Sequence, residues 1–418
     1  MNIIRGEKIF QKECQEYFVV LNLKHNALFM FHKDVEIVWK HITPQSTLEK
    51  LYEQLFIEGY SIEKNELFEI IELFAKLGIV IVPGIAEDFE VIRKNDQFEA
   101  YIDYCSTVGV PTVLHIETTN MCNLKCVHCF HDELTSSIEL SDIEKVFDEL
   151  EHSAFVRVTL TGGELGLHPA WKDIMDCAKS HGLSVAILSN LTRFNEDDLL
   201  YITNYNPLFV RTSIYGFQAL THNKITGCDG SYERTFANLL KLKNNGVNVG
   251  VSCTVMQENF SEIFDLKDMM EVYDIPIEFG CSIWPSRKNT KTVETLMVNH
   301  SQYMELYNAG ILNNLVKIPC NAGAHRIAID QNGEIYCCDS LRITIGNIKN
   351  TTIIDALKSE KMKEIRHKID LYFPEKCKTC DRESICTKCP GLVWNYEPFV
   401  NVHSDMQCFY TTVFSCRK

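Results

Sequence analysis

No stretch of the sequence approaches the roughly 18 consecutive apolar residues that a membrane span requires. The N-terminal MNIIRGEKIFQKECQEYF also lacks the hydrophobic core of a secretory signal. These absences predict a cytoplasmic chain with no membrane partner. Positive charge is scarce as well: 41 Lys and Arg stand against 56 Asp and Glu, for a net charge of −15 and a pI near 5.4. Such a balance repels phosphate backbones and argues against a nucleic-acid partner. No low-complexity tract interrupts the chain, and 45% hydrophobic with 23% charged residues excludes disorder and collagen-like repeats. At 418 residues it can bury sizeable cores, and two or three domains are expected.

Cysteine, by contrast, is in excess. A cytosolic chain has no structural need for 18 thiols, and reducing conditions keep disulfides rare, so metal is the first suspicion. Cys122, Cys126 and Cys129 share an eight-residue window, while nine more lie between Cys320 and Cys416. The other six (Cys14, Cys105, Cys177, Cys228, Cys253 and Cys281) sit mostly beside apolar residues, where a thiol behaves as a small buried hydrophobe. Cys281 fits that reading least well.

Residues 1–82 read as a small α+β unit. Tyr17 to Leu23 and Ala27 to Phe31 make a hairpin, Ser46 with Glu49 forms a capping box for a helix reaching Phe56, and Leu67, Ile70, Ile71 and Phe74 mark a second helical face ended by Gly78. With the closing strand Ile79 to Val82, the pattern suits a winged-helix-like module, but no Lys/Arg face for DNA is visible. Residues 83–108 read as a linker or bridging helix. From 109 to 300, strands and helices alternate in six βα units, with strands at Thr112 to Glu117, Val156 to Leu160, Ser184 to Leu188, Leu208 to Ile214, Val247 to Met256 and Pro276 to Cys281. Ser141 and Glu144 are expected to cap the first helix. The repeat predicts an α/β fold with a parallel sheet, most simply a full or partial (β/α) barrel. Residues 301–418 hold a helix near Gln302 to Leu312 and then short, turn-rich pieces carrying cysteines, where metal would replace a missing core.

The Cys122-Asn-Leu-Lys-Cys126-Val-His-Cys129 loop follows the first barrel strand, at the end where such folds place their chemistry. A four-iron cluster held wholly by protein takes four ligands, and three cysteines leave one iron open. That iron can be chelated by the amino and carboxylate groups of an amino acid, and an electron delivered to a sulfonium bonded to it releases an alkyl radical. With its x3/x2 spacing after strand one, the loop resembles the radical SAM superfamily, although His128 stands where an aromatic residue is usual. The resemblance implies a partial (β/α)6 barrel and S-adenosylmethionine (SAM). A zinc knuckle using His128 is the alternative. Gly162-Gly163-Glu164 resembles the family's GGE motif, in which backbone freedom lets the chain approach the SAM amino group and Glu164 supplies a negative partner. Ser189, Asn190 and Ser213 match positions where relatives contact the SAM carboxylate or ribose, and Asn259 resembles another such contact.

Cys320, Cys338, the run Cys377-x2-Cys380-x5-Cys386-x2-Cys389, and Cys408 resemble the C-terminal iron–sulfur SPASM extension. The resemblance implies two auxiliary [4Fe–4S] clusters, three in all. Cys377, Cys380, Cys386 and Cys408 would hold the distal one, and Cys320, Cys338 and Cys389 the proximal one. Cys337, Cys281 and Cys416 remain alternative ligands, because the last x2 spacing and the Cys337-Cys338 doublet depart from the family. A zinc ribbon is a poorer fit to the short gap between the pairs. The first unit resembles the recognition element that binds leader peptides of ribosomally made precursors by adding a strand to a sheet edge; a dimerisation module is the alternative. The implied activity is a peptide maturase using a 5′-deoxyadenosyl radical and an electron donor such as flavodoxin or ferredoxin, with an intramolecular thioether as the expected product. Carbon–carbon or carbon–oxygen crosslinking, epimerisation, sulfatase-type maturation and a simple iron–sulfur electron carrier stand as alternatives. No general acid or base is identified; Tyr215, Glu117, His115 and Cys281 lie near predicted strand ends.

Overall fold

The computed structural model describes residues 1–131, 136–283, 295–312, 320–370 and 389–391. Cys377, Cys380, Cys386, Cys408 and Cys416 lie outside these residues.

The N-terminal segment runs β1 (Asn2–Arg5), β2 (Ile9–Lys12), β3 (Tyr17–Asn22), β4 (Ala27–His32), α1 (Glu36–His41), β5 (Ser46–Thr47), α2 (Leu48–Ile57), α3 (Lys64–Lys76) and β6 (Val80–Ile81). It makes two three-stranded sheets, ordered β2-β3-β4 and β5-β1-β6. Alternation along β3 buries both faces. Phe18 and Val20 join the core against α1–α3, while Val19 and Leu21 point the other way. Thr47, not Ser46, caps α2, its hydroxyl accepting from Lys50 N at 3.3 Å. Ser46 instead pairs with Ile3 in the sheet, and its Oγ accepts from Thr43 N. The bridging region forms α4 (Phe89–Arg93), capped by Asp88, and α5 (Gln97–Thr107).

The alternating region comprises β7 (Val113–Glu117), α6 (Leu140–Leu150), β8 (Arg157–Thr161), α7 (Trp171–Ser180), β9 (Ser184–Leu188), α8 (Glu196–Tyr205), β10 (Phe209–Ser213), α9 (Ala219–Thr226), α10 (Ser231–Asn244), β11 (Val249–Thr254), α11 (Ile263–Val272) and β12 (Ile277–Gly280). All neighbouring strands from β7 to β12 pair in parallel, as six βα units demand. Two local expectations fail. Helix α6 starts at Leu140 behind Glu139 with no side-chain cap, so Ser141 lies inside its first turn. Helix α9 was not anticipated because its buried face carries His222, Ile225 and Thr226, and polar residues hide the helical period.

The described residues of the C-terminal segment form no separate sheet. After α12 (His300–Asn308), which stops short of Leu312 where Gly310 takes φ +71°, come β13 (Arg326–Ile329), β14 (Glu334–Tyr336), β15 (Thr344–Asn347), α13 (Ile353–Lys358) and α14 (Glu360–Asp370). Strand β13 pairs in parallel with β7 over Arg326↔Val113 to Ile329↔Ile116, and β14 and β15 follow antiparallel. The result is one nine-stranded sheet, β12-β11-β10-β9-β8-β7-β13-β14-β15. It is open, a partial barrel extended on its β7 side.

The N-terminal segment seats on the N-terminal ends of the parallel strands. Lys12 Nζ donates to Glu151 O at 3.0 Å, Asn26 Nδ2 donates to Asn206 O at 2.7 Å, and Phe10 lies against Gly182. Val19, Leu21, Leu23 and Leu28 share a core with Phe98, Tyr101 and Ile102 of α5 and with Val113 and Val156 at the barrel base.

Candidate active site

The opposite, C-terminal ends of β7–β10 gather the residues singled out in the sequence. Beyond β7 the chain passes through Thr118–Met121 into the cysteine loop, which lies along the end of α9: Lys125 N donates to Thr226 O at 2.8 Å and Val127 N to Ile225 O at 2.9 Å. Cys129 N donates to Cys126 O at 3.0 Å, closing a turn within the loop. Burial raises all three thiol pKa values, that of Cys126 up to about 12, and the charges of Cys129 and Cys122 add to the effect at Cys126.

The two glycines after β8 meet the chain that enters the cysteine loop. Gly163 N donates to Thr119 O at 2.7 Å and Glu164 N to Met121 O at 2.8 Å. A Cβ on Gly162, whose φ is +148°, would overlap Thr119 O, and one on Gly163 would overlap Met121 O. Their freedom is thus used for close approach to the chain that enters the loop.

Glu164 is buried behind Ser189 and Asn190. It accepts from Ser189 Oγ at 2.6 Å, Asn190 N at 2.7 Å and Gly166 N at 3.1 Å, which occupies three of about four acceptor sites on a carboxylate. Burial pushes its pKa up, and those hydrogen bonds oppose the shift. Asn190 passes the contact on: its Nδ2 donates to Asn123 Oδ1 at 3.2 Å and lies 3.9 Å from Cys122 Sγ, and Asn123 donates to Thr192 at 2.7 Å. Glu164, Ser189, Asn190 and the first cysteine therefore form one connected network. Sequence reasoning missed Asn123 and Thr192; the sole signal was the position of Asn123 inside the cysteine loop.

Ser213 ends β10 in register with Ser252 of β11, and its side chain lies near that of Tyr215. Burial raises the Tyr215 phenol well above its ordinary range. Its ring meets His128 edge-on, with centroids 4.8 Å apart. His128 Nδ1 is buried with no partner among the described residues, and burial lowers the pKa of this imidazole to about 4. Asn259 does not face the site. It is fully buried, with Nδ2 donating to Tyr215 O and Thr254 O and Oδ1 accepting from Met256 N, so it staples backbone rather than a ligand.

Among the tail cysteines, the charge of Cys389 acts on Cys338, that of Cys320 acts on Cys337, and residue 391 lies against Ser340. Cys337 is in the main core, and its thiol is raised to about 12, chiefly by burial. Cys281 sits beside Cys253 among the ends of β11 and β12. Cys105 and Cys253 are buried as expected, whereas Cys14, Cys177 and Cys228 are half-buried. Glu117 is buried against Arg342, and burial lowers the pKa of His115.

Residues 116–270 match the model of the radical SAM superfamily, and residues 320–381 that of an iron–sulfur cluster-binding domain, SPASM. The chain carries a radical SAM domain and a SPASM domain. It is an enzyme that uses SAM with a [4Fe–4S] cluster in the barrel, and auxiliary iron–sulfur clusters in the SPASM domain. The donor chemistry fits: three cysteines share one loop, and a buried imidazole nitrogen in that loop is unpartnered among the described residues, although no three His, Cys, Asp or Glu side chains among the described residues are gathered closely enough to hold a single metal ion.

Among curated relatives, the radical SAM enzyme is 25% identical over 311 residues to the antilisterial bacteriocin subtilosin biosynthesis protein AlbA of Bacillus subtilis, covering 67% of each chain. It is 25% identical over 279 residues to the mycofactocin maturase MftC of Mycobacterium ulcerans, covering 59% of this chain and 72% of the other. Of solved structures, Streptococcus suis SuiB bound to precursor peptide SuiA superposes with a TM-score of 0.61 at 13% identity, covering 95% of this chain and 98% of that one. At that identity the likeness is one of fold. No helix among the described residues is long and apolar enough to cross a membrane.

Proposed function

We propose that this enzyme is a cytoplasmic peptide maturase that forms an intramolecular thioether in a ribosomally made precursor, taking electrons from a flavodoxin- or ferredoxin-type donor. The observation that carries the reading is the joining of the cysteine loop, Gly162-Gly163-Glu164 and Ser189-Asn190 into one network at the strand ends, with the Cys338 segment reached through the same sheet. AlbA and MftC, a bacteriocin biosynthesis protein and a maturase, support the substrate class.

Cys122, Cys126 and Cys129 would hold the barrel cluster, and Gly162, Gly163, Glu164, Ser189, Asn190 and Ser213 would form the SAM side of the site. Cys320, Cys338 and Cys389 are assigned to the proximal auxiliary cluster, and Cys377, Cys380, Cys386 and Cys408 to the distal one. When bound, SAM and its cluster supply a 5′-deoxyadenosyl radical that takes a hydrogen atom from a peptide carbon. The protein's own part is orientation. Glu164 fixes the Ser189 hydroxyl and the Asn190 amide, Asn190 fixes Cys122 through Asn123, and the glycines hold the loop's entry. Residues 1–82 would dock an extended leader, raising the local concentration of the core peptide.

The test is anaerobic reconstitution with SAM, reductant and a candidate Cys-rich precursor peptide. Production of 5′-deoxyadenosine and loss of two hydrogens per modification are expected. A crosslink that survives alkylation of the peptide thiols without engaging a cysteine would replace the thioether reading with carbon–carbon or carbon–oxygen bonding. Unchanged mass with solvent deuterium uptake would replace it with epimerisation. Cys126→Ala should abolish 5′-deoxyadenosine while keeping auxiliary iron; retained turnover would overturn the cluster assignment.

A further inference from the structure

Glu117 and Arg342 meet across a sequence gap of 225 residues. Arg342 Nη1 donates to Glu117 Oε2 at 3.0 Å, and Nη2 donates to Oε1. The pair is buried, the Glu117 side chain being 6% and that of Arg342 15% exposed. The guanidinium also lies 5.7 Å from the centroid of the Phe130 ring and 5.3 Å from that of Tyr336. Phe130 in turn stacks on His131 at 4.3 Å, and His131 Nε2 lies 3.9 Å from Glu117 Oε1.

The places these side chains come from give the cluster its meaning. Glu117 is the last residue of β7, one step past Ile116, where the β7–β13 ladder ends. Phe130 directly follows Cys129, and Tyr336 lies two residues before Cys338. One guanidinium thus contacts the end of the barrel strand, the exit of the cysteine loop and the strand leading to a tail cysteine, just past the last β7–β13 pair.

A fork donating to both carboxylate oxygens while packed between two rings is an arrangement that arginine makes and lysine does not. A buried ion pair adds little net stability over well-packed apolar residues, because desolvation offsets the attraction. What it does add is a fixed geometry.

We propose that Glu117 and Arg342 are positioning residues that set the separation and orientation of the barrel cluster relative to the auxiliary cluster at Cys338. This rests on the ligand assignment above. The clasp acts through Phe130 and Tyr336 on the segments that carry Cys129 and Cys338.

The experiment uses full-length enzyme, reconstituted anaerobically, as wild type, Arg342→Gln, Arg342→Lys and Glu117→Gln. Iron content and thermal midpoint are measured first, then the spin–spin interaction between reduced clusters by pulsed EPR and the spectral change on adding SAM. The expected result for Arg342→Gln is full iron, a weakened inter-cluster interaction and an altered SAM-induced spectrum. Formation of 5′-deoxyadenosine should fall by up to ~10²-fold, the scale of loss for a misplacement of about 1 Å. Arg342→Lys, which keeps the charge without the fork, should show the same spectral change.

Wild-type spectra in an iron-replete Arg342→Gln enzyme would overturn the proposal. If that variant loses iron, Glu117→Gln, which keeps the shape of the side chain, decides in the same way. Iron lost from every site in both variants would assign the pair to folding and overturn positioning. Wild-type enzyme with iron at the barrel site alone would instead overturn the ligand reading of Cys338, a distinct failure.

Discussion

The close seat of Gly163 against the cysteine loop makes Gly163→Ala a sharp perturbation. An added Cβ would overlap Met121 O and come within 2.6 Å of the Met121 carbonyl carbon and 2.7 Å of Asn120 O. These gaps fall roughly 0.7 Å or more short of ordinary carbon contacts. The loop cannot yield freely, since Asn120 N donates to Ser136 O at 3.1 Å and Asn120 Oδ1 accepts from Ser136 N at 2.9 Å. Overpacking of this kind costs ~1–3 kcal/mol. At ~2–4 °C per kcal/mol for a mid-sized domain, the melting temperature falls by roughly 2–12 °C. The functional loss should be far larger, up to ~10²-fold, because the displaced chain leads directly into Cys122. The assay is 5′-deoxyadenosine formation with chemical reductant and no peptide, alongside iron content and the SAM-dependent EPR spectrum. Gly250→Ala is the control, since a Cβ there meets nothing closer than 3.6 Å. An unchanged rate in Gly163→Ala, with a normal spectrum, would refute the claim that the glycine pair holds the loop.

Other perturbations test separate features. Glu164→Gln sets an amide N–H against the donors of Ser189, Gly166 or Asn190, so SAM affinity by calorimetry should drop about tenfold, a cost of ~1.4 kcal/mol; unchanged affinity would detach Glu164 from the site. Lys12 is buried at the barrel base with its pKa lowered to about 7, chiefly by desolvation. Its folded pKa lies below its unfolded value, so the unfolded chain binds more protons between the two. Stability should therefore rise with pH from about 7 upward, by ~1.4 kcal/mol per unit at most. The melting-temperature advantage of Lys12→Met should shrink between pH 7 and 9, and a constant difference would contradict the shift. Thr47→Ala should cost ~1 kcal/mol through loss of the α2 cap, seen as a lower melting temperature, whereas Ser46→Ala should leave that cap intact.

Much of the fold is legible in the sequence because βα units carry their own periodicity. Strands such as Val185–Ile187, buried on both faces, read as continuous apolar runs, and the cysteine loop is local in sequence. What escaped are contacts between distant residues. Nothing near Glu164 announces that its carboxylate is taken by Ser189 and Asn190, and nothing near Glu117 points to Arg342. The role of the glycines is half-legible: their need for space can be read, but that Thr119 and Met121 fill it cannot. Asn259 misled because a polar residue after a strand looks the same whether it meets a ligand or ties off a loop. The shared sheet was hidden because β13, β14 and β15 are only three or four residues long and sit among turns.

The seat of the N-terminal segment under the barrel has a geometric corollary for any chain it captures. Strands β7–β10 each span five residues, or about 16 Å, between that seat and the cysteine-bearing rim. A tethered guest must travel at least this far, and farther if it skirts the helices outside, so at least about five fully stretched residues of its own are consumed as slack. If residues 1–82 dock a leader as proposed, residues of the guest inside that interval would be carried past the cysteine loop unaltered.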